Sequence, residues 1–305
     1  MNNIPLNIKN ETARLKSVIL GIANSNGPIP KPEDCYDPKS KQHVLAGTYP
    51  IEKDMIVEMD AFNTVLLKHN VKVYRPKILE NVNQIFARDI GFVIDDLFFK
   101  SNILPDRINE LQAIEHVLNK INPTKIVTLP EEVHVEGGDI MPWNEYLFIG
   151  TYTASDYPNQ ITARTNKAAV DYFINKFPNK KVKSFELRKS TNPKENALHL
   201  DCCFQPIGKN KAILHKNGFL LEKDYHYLVN IFGENNIFEI TKDEMYNMNS
   251  NVFSISENVI VSEKNFTRLN NWLRKNGFIV EEVPYSEIAK QEGLLRCSTL
   301  PLERA

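Results

Sequence analysis

The sequence has no apolar run long enough to span a bilayer, and its start, Met1-Asn-Asn-Ile-Pro-Leu-Asn-Ile, lacks a basic stretch followed by an apolar core. Neither a membrane span nor a secretory leader is expected, so the expected location is cytoplasmic. Cysteine is scarce. There are four in 305 residues, with Cys202 and Cys203 adjacent and no C-x-x-C spacing, which excludes a disulfide framework and a zinc site of that type. Excess charge of one sign is also missing: 37 basic against 38 acidic residues give a net charge of −1 and no electrostatic footprint for nucleic acid or an anionic membrane. No Gly/Ser-rich or Pro-rich linker divides the chain, so a single domain over 1–305 is expected, long enough to bury a substantial core. The stretch 24–49, rich in Pro, Gly, Lys and Asp, reads as a long loop within the first structural unit and as a candidate lid.

What is present is an order of elements that returns. Ile90 to Ile94 and Leu97 to Lys100 flank Asp95-Asp96 as a hairpin. Ile108, Leu111, Ile114, Val117 and Leu118 then recur at helical spacing from Asp106 onward, and Lys125 to Leu129 reads as a strand after Pro123. The same order follows as hairpin 134–151, helix near Gln160 to Phe177 and strand 182–187. It returns as hairpin 198–215, helix 220–232 and strand 237–241, and again as hairpin 251–262, helix 265–276 and strand 278–283. The ends supply a fifth unit: strand 15–20, an amphipathic helix 51–69 carrying Met55, Met59, Phe62 and Leu66, and strand 71–74. The segment Leu295 to Leu302 can return beside the first strand as the missing hairpin partner, closing a ring and removing exposed sheet edges. An ordinary open α/β domain is the alternative.

Each of the first three hairpins carries ionisable residues near its start: Asp89, then Glu136 with Asp139, then His199 with Asp201. Cys297 sits on the last strand-like run. If His199 to Asp201 is extended, alternation puts both side chains on one face. Buried carboxylates need cations, and Arg88, Arg107, Arg164 and Arg296 are candidate internal partners, unless a substrate brings the cation. A cysteine nucleophile acts as thiolate, and a free thiol with a pKa of about 8.5 needs nearby positive charge, which His199 can supply. His134, His215, His226, Trp143 and Trp272 have no comparable constellation around them and read as structural, as do Cys202 and Cys203.

The set Ala87-Arg88-Asp89, Glu136-Gly137-Gly138-Asp139, His199-Leu200-Asp201 and Arg296-Cys297-Ser298-Thr299-Leu300-Pro301 resembles the guanidino-modifying enzymes of the pentein superfamily, in particular arginine deiminases and amidinotransferases. The resemblance runs through nearly the whole chain in order. It implies an α/β fold, a five-bladed α/β propeller of repeated ββαβ modules with pseudo-fivefold symmetry. It further implies that Cys297 is the nucleophile, His199 the general acid and base, and Glu136 the partner that orients His199. Asp89 and Asp201 would grip guanidinium nitrogens, Arg164 and Arg107 would hold a substrate carboxylate, and Asp139, Arg88 and Arg296 would support the site. No metal or organic cofactor is implied. The expected partner is a small guanidino molecule such as arginine or a derivative, rather than nucleic acid or membrane, with homo-oligomerisation left open.

The chemistry so implied is attack of the Cys297 sulfur on the guanidinium carbon, protonation of the departing amine by His199, and a covalent S-linked amidino intermediate. Water then gives a ureido product, or an acceptor amine takes the amidino group. The residues around Cys297 and the Glu-Gly-Gly-Asp motif lean to hydrolysis, with an amidinotransferase as the alternative. A dimethylargininase is less favoured, because Asp201 would crowd a methylated nitrogen. The chain shows no segment like the additional helical domain of arginine deiminases, so derivatives of arginine stay open as substrates. A non-catalytic pentein binding module and a cysteine protease are the readings from other classes. Neither accounts for the retained carboxylates.

Overall fold

A computed structural model describes residues 3–157 and 161–305. Its strands form five separate three-stranded sheets, each an antiparallel pair extended by a parallel third strand. In one, Gly91–Ile94 pairs antiparallel with Leu97–Lys100, which pairs in parallel with Ile126–Thr128. The next three repeat this arrangement with Ile140–Trp143, Tyr146–Thr151 and Lys181–Glu186, then Phe204–Ile207, Lys211–Leu214 and Ile237–Glu239, then Phe253–Ser256, Val259–Glu263 and Ile279–Val283. The hairpin turns follow the residue chemistry. Asp95, Asn144 and Gly208 take positive φ, which Asp, Asn and Gly tolerate most readily.

The fifth sheet joins the two ends of the chain, as the sequence pattern anticipates. Thr299–Arg304 lies antiparallel to Leu15–Leu20, which pairs in parallel with Lys72–Tyr74. Its helix Glu52–Lys68 buries Met55, Met59, Phe62 and Leu66, a stripe at helical spacing, and the Phe62 ring meets Phe253 and Tyr285 edge-on at 5.8 Å each. That contact ties the helix of this unit to a strand of the preceding one.

Three expectations are corrected. The segment after Asp106 is mostly 3-10 helix, Pro105–Ile114, with α-helix only over Glu115–Leu118. A 3-10 helix has three residues per turn, which superposes Arg107 on Glu110 and lets the two close on each other. The helix read near Gln160 begins at Lys167, where the Asn166 side chain accepts from Ala169 N, and residues 158–160 lie outside the described residues. The motif residues do not lie in strands. Gly137–Asp139 and Leu200–Cys202 are 3-10 turns, and Asp89 and Cys297 also occupy turns ahead of their strands. Strand alternation therefore says nothing about His199 and Asp201. In the turn at Leu200 the backbone N–H is satisfied by the Asp139 side chain rather than by a ladder.

Candidate active site

Each sheet's first strand is preceded by a turn bearing a polar residue, and the turns bind one another. Arg88 N–H donates to Cys297 O at 3.0 Å, Leu200 N–H to Asp139 Oδ1 at 2.9 Å, and Ser250 Oγ–H to Asp201 O at 2.8 Å. Cys297 N–H donates to Asn251 Oδ1 at 3.1 Å. The Glu-Gly-Gly-Asp turn needs its glycines for the same reason. A Cβ at Gly137 would fall 2.1 Å from Arg88 O, and one at Gly138 would fall 2.6 Å from the His199 ring.

Asp89, Arg107, Arg164, His199 and Cys297 line one cleft of about 440 Å³. Residues of the 24–49 stretch line it too, among them Tyr36 and Asp37. Asp37 caps the helix Pro38–Leu45, receiving Ser40 N–H at 2.6 Å, and the Tyr36 ring lies over the guanidinium groups of Arg107 and Arg164 at 5.9 and 5.6 Å. Arg164 also donates to Tyr36 O at 2.6 Å, so the stretch is fastened across the site.

His199 Nε2 and Glu136 Oε2 are 2.8 Å apart, and His199 Nδ1 is 3.9 Å from Asp89 Oδ1. Burial disfavours charge on this imidazole, but Asp89, Asp139 and the Glu136 hydrogen bond outweigh it and lift its pKa to about 9. For Glu136 burial pushes upward, yet Arg164, His199 and Arg107 together hold the carboxyl far below its usual range. The pair is therefore imidazolium and carboxylate at neutral pH. Because the folded-state value of about 9 exceeds the ordinary 6.5, the His199 contribution to stability is complete below pH 6.5 and is lost as pH rises through 9. Urea titrations at pH 6.5 and 9 are expected to show this loss in the wild type and a smaller one in His199→Asn.

Cys297 Sγ lies 3.6 Å from Asp201 Oδ2 and receives a hydrogen bond from Asn251 Nδ2 at 3.2 Å. Burial, then Asp201 and Asp89, raise its pKa well above that of a free thiol, so the resting sulfur is protonated. Asp201 is fully buried and is held by Arg296 Nη1 at 2.8 Å through the same Oδ2 that faces the sulfur.

The arginines are internal partners of the acids, as one sequence reading allows, with one exception. Arg107 forks onto Glu110 at 2.7 and 2.9 Å and donates to Asp89 Oδ2 at 2.8 Å. Arg164 Nη1 donates to Glu136 Oε2 at 3.2 Å. Arg88 instead donates to Arg296 O and Thr299 Oγ1, weakly, at 3.3 and 3.4 Å. Among the described residues, three buried polar atoms here have no hydrogen-bond partner: Asp89 Oδ1, Glu136 Oε1 and Arg164 Nε. Buried polar atoms are rarely left so, and the free oxygen on Asp89, which lines the cleft with Cys297, leaves an acceptor there for a cationic group.

Asp89, Glu136 and His199 also bring ligand-type atoms within 4.8 Å of one another. Arg164 at 3.2 Å and Arg107 at 3.9 Å from the Glu136 carboxylate already supply positive charge there, which disfavours a divalent cation. Sequence reasoning missed Asn251 and Glu110. Asn251 was detectable by repeat position, since it precedes Phe253–Ser256 by two residues, as Cys297 precedes Thr299–Arg304 and Asp89 precedes Gly91–Ile94. Glu110 carries only the i, i+3 signal with Arg107.

Among solved structures, the N-terminal domain of ArgZ bound to product, a cyanobacterial arginine dihydrolase, superposes with a TM-score of 0.75 at 16% identity over 94% of this chain and 97% of that one. SxtG, an amidinotransferase of saxitoxin biosynthesis from Microseira wollei, gives 0.73 at 17% over 98% and 97%. The inosamine-phosphate amidinotransferase StrB1 of Streptomyces griseus gives 0.74 at 13% over 98% and 97%. At these identities the likeness concerns the fold. In sequence, the uncharacterized protein YkgA of Bacillus subtilis (strain 168) is 28% identical over 249 residues, 78% of this chain and 77% of that protein. The family model described as N,N dimethylarginine dimethylhydrolase, eukaryotic, matches residues 41–304. The chain thus belongs to the N,N-dimethylarginine dimethylhydrolase family, within the pentein superfamily of guanidino-modifying enzymes.

Proposed function

We propose that the protein hydrolyses the guanidino group of an arginine-like substrate through a covalent intermediate on Cys297, in a five-bladed α/β propeller whose axis carries the cleft. The five three-stranded sheets, the sheet built from both chain ends and the succession of contacts between turns support that closure. The observation that carries the chemical reading is the unpartnered carboxylate oxygen of Asp89 in a cleft it lines with His199 and a buried cysteine, the imidazole being paired with Glu136.

A guanidinium is a poor electrophile while its charge is delocalised, and acceptors at fixed positions both orient it and localise that charge. In the resting site the Cys297 thiol is kept neutral by burial and by Asp201 and Asp89. An entering guanidinium offsets those two carboxylates, so the thiol proton leaves to solvent as the substrate binds. The sulfur adds to the guanidinium carbon, His199 gives its proton to the departing nitrogen, and the carbon–nitrogen bond breaks. If ammonia or a small amine departs, the alkyl chain stays on the sulfur as a thiouronium. Water, deprotonated by the now neutral His199, then releases a ureido product and regenerates the thiolate. If the alkyl amine departs instead, a bare amidino group remains for an acceptor, which is the amidinotransferase reading.

A methylated substrate is the second reading, and two observations favour it over the sequence expectation. The chain belongs to a family described by that activity, and Asp201 Oδ2 is already held by Arg296 at 2.8 Å. Incubation with arginine, N,N-dimethylarginine and agmatine, with and without glycine as acceptor, separates the readings. Ammonia or dimethylamine released without acceptor, with a ureido product, is the expected result. Product formed only when the second amine is present would overturn hydrolysis.

Arg164 is the better candidate for a substrate carboxylate, since its Nε lacks a partner whereas Arg107 is engaged by Glu110, Asp89 and Phe86 O. Arg164→Ala is expected to raise KM for arginine by roughly tenfold or more while leaving KM for agmatine, which has no carboxylate, nearly unchanged. Equal changes for both substrates would remove that role.

A further inference from the structure

We propose that Asn251 holds the Cys297 sulfur in place and stabilises it as thiolate, a role that rests on Cys297 being the nucleophile. Asn251 is fully buried and makes two contacts to the same residue. Its Oδ1 accepts Cys297 N–H at 3.1 Å and its Nδ2 donates to Cys297 Sγ at 3.2 Å. The orientation of the amide is fixed by this pairing. A backbone N–H can only donate, so the oxygen must face it, and the NH₂ group is left pointing at the sulfur.

The need for such a donor follows from what else surrounds the sulfur. Burial and the carboxylates Asp201 and Asp89 favour the protonated thiol and outweigh the Leu294 backbone N–H and Arg296, which favour the thiolate, and His199 is engaged with Glu136. A neutral amide donor favours the thiolate without adding a charge that would repel an incoming guanidinium. The backbone braces the amide. Asn251 N–H donates to Met248 O at 2.9 Å and Asn251 O receives Arg296 N–H at 3.3 Å, so the turn that bears the amide and the turn that bears the sulfur are bound twice over. The position two residues ahead of the first strand of the hairpin, which carries Asp89 in the first of these units, thus carries an uncharged donor, Asn251, in the fourth, and the same position ahead of Thr299–Arg304 carries the nucleophile.

The test is the pH dependence of Cys297 alkylation by iodoacetamide in the full chain, followed on the Cys297 peptide by mass spectrometry. Asn251→Ala removes the donor. Asn251→Asp keeps the volume and the oxygen that receives Cys297 N–H, so the fold is retained if Ala proves too disruptive. Both variants are expected to move the alkylation midpoint upward by about one pH unit or more, which is roughly tenfold slower labelling at a fixed pH below it. A midpoint unchanged in both, or changed in Asp but not in Ala and hence a charge effect alone, would overturn the proposal. No substrate enters this assay, so an enzyme inactive on every guanidino compound could still show the shift. Turnover with an unshifted midpoint would sink the role of Asn251 and leave the guanidino reading intact.

Discussion

Cys297→Ser is expected to abolish guanidino turnover, by about a thousandfold or more in kcat, and to do so without loss of the fold. The sulfur combines nucleophilic character with contact to both a donor and a carboxylate, Asn251 Nδ2 at 3.2 Å and Asp201 Oδ2 at 3.6 Å. A serine hydroxyl has nearly the same shape and can keep both contacts as hydrogen bonds, so packing is preserved. It cannot ionise in this setting, where even the more acidic thiol is held protonated by burial and by Asp201 and Asp89. Substrate affinity should survive, because the free oxygen of Asp89 is untouched. Isothermal titration with arginine or dimethylarginine, beside steady-state kinetics, checks both halves. Residual turnover within tenfold of wild type would remove Cys297 from the mechanism.

Arg296→Ala is expected to cost about 3–5 kcal/mol of stability, the usual effect of removing one partner of a buried ion pair. Arg296 is fully buried and binds four residues of three segments at once: Glu11 through both carboxylate oxygens at 3.2 Å, Asp201 at 2.8 Å, Gly138 O at 3.3 Å and Ile140 O at 2.8 Å. Its loss leaves Glu11 and Asp201 as buried charges without their principal cation and orphans two carbonyls. For Glu11 burial pushes the pKa up, but Arg296 and Arg88 hold it below its usual range, so its stabilising contribution is present above the ordinary carboxylate pKa and is lost on acidification. Arg296→Ala should therefore unfold at much lower urea at pH 7, and Glu11→Gln with Asp201→Asn in the same chain should recover part of the loss. A midpoint equal to wild type would show that the network is dispensable. Asp201 is committed to this network, so crowding by Asp201 no longer argues strongly against a methylated nitrogen.

Much of this was legible in the sequence because two periodicities carry it. Alternating apolar runs around Asp95-Asp96, Asn144 and Gly208 gave hairpins at the observed positions, and the 3.6-residue spacing of Met55, Met59, Phe62 and Leu66 gave the helix Glu52–Lys68. The return of the C-terminal strand beside Leu15–Leu20 followed from a unit missing one member. The sites of chemistry were legible as residue types but not as conformations. Asp139, Asp201 and Cys297 stand in turns, where bonds between distant segments, such as Leu200 N–H to Asp139 Oδ1, replace the ladder, and no periodicity reports such bonds. Nor could the pattern choose among partners. Arg107 closes on Glu110 because a 3-10 turn superposes them, a geometry that an apolar pattern read as α-helix conceals. Asn251 carried no charge, so it attracted no notice, although its place ahead of Phe253–Ser256 repeats that of Asp89 and Cys297.

The most direct test of the account is mass analysis of acid-quenched protein taken during turnover of arginine, N,N-dimethylarginine and agmatine, with the modified peptide located by fragmentation. The account predicts an adduct on Cys297 that retains the alkyl chain of the substrate and has lost ammonia or dimethylamine, and no adduct in Cys297→Ser. An adduct carrying the amidino group alone would point to transfer. Turnover of any of these compounds with Cys297 unmodified at every quench time, or with an adduct on another residue, would contradict it.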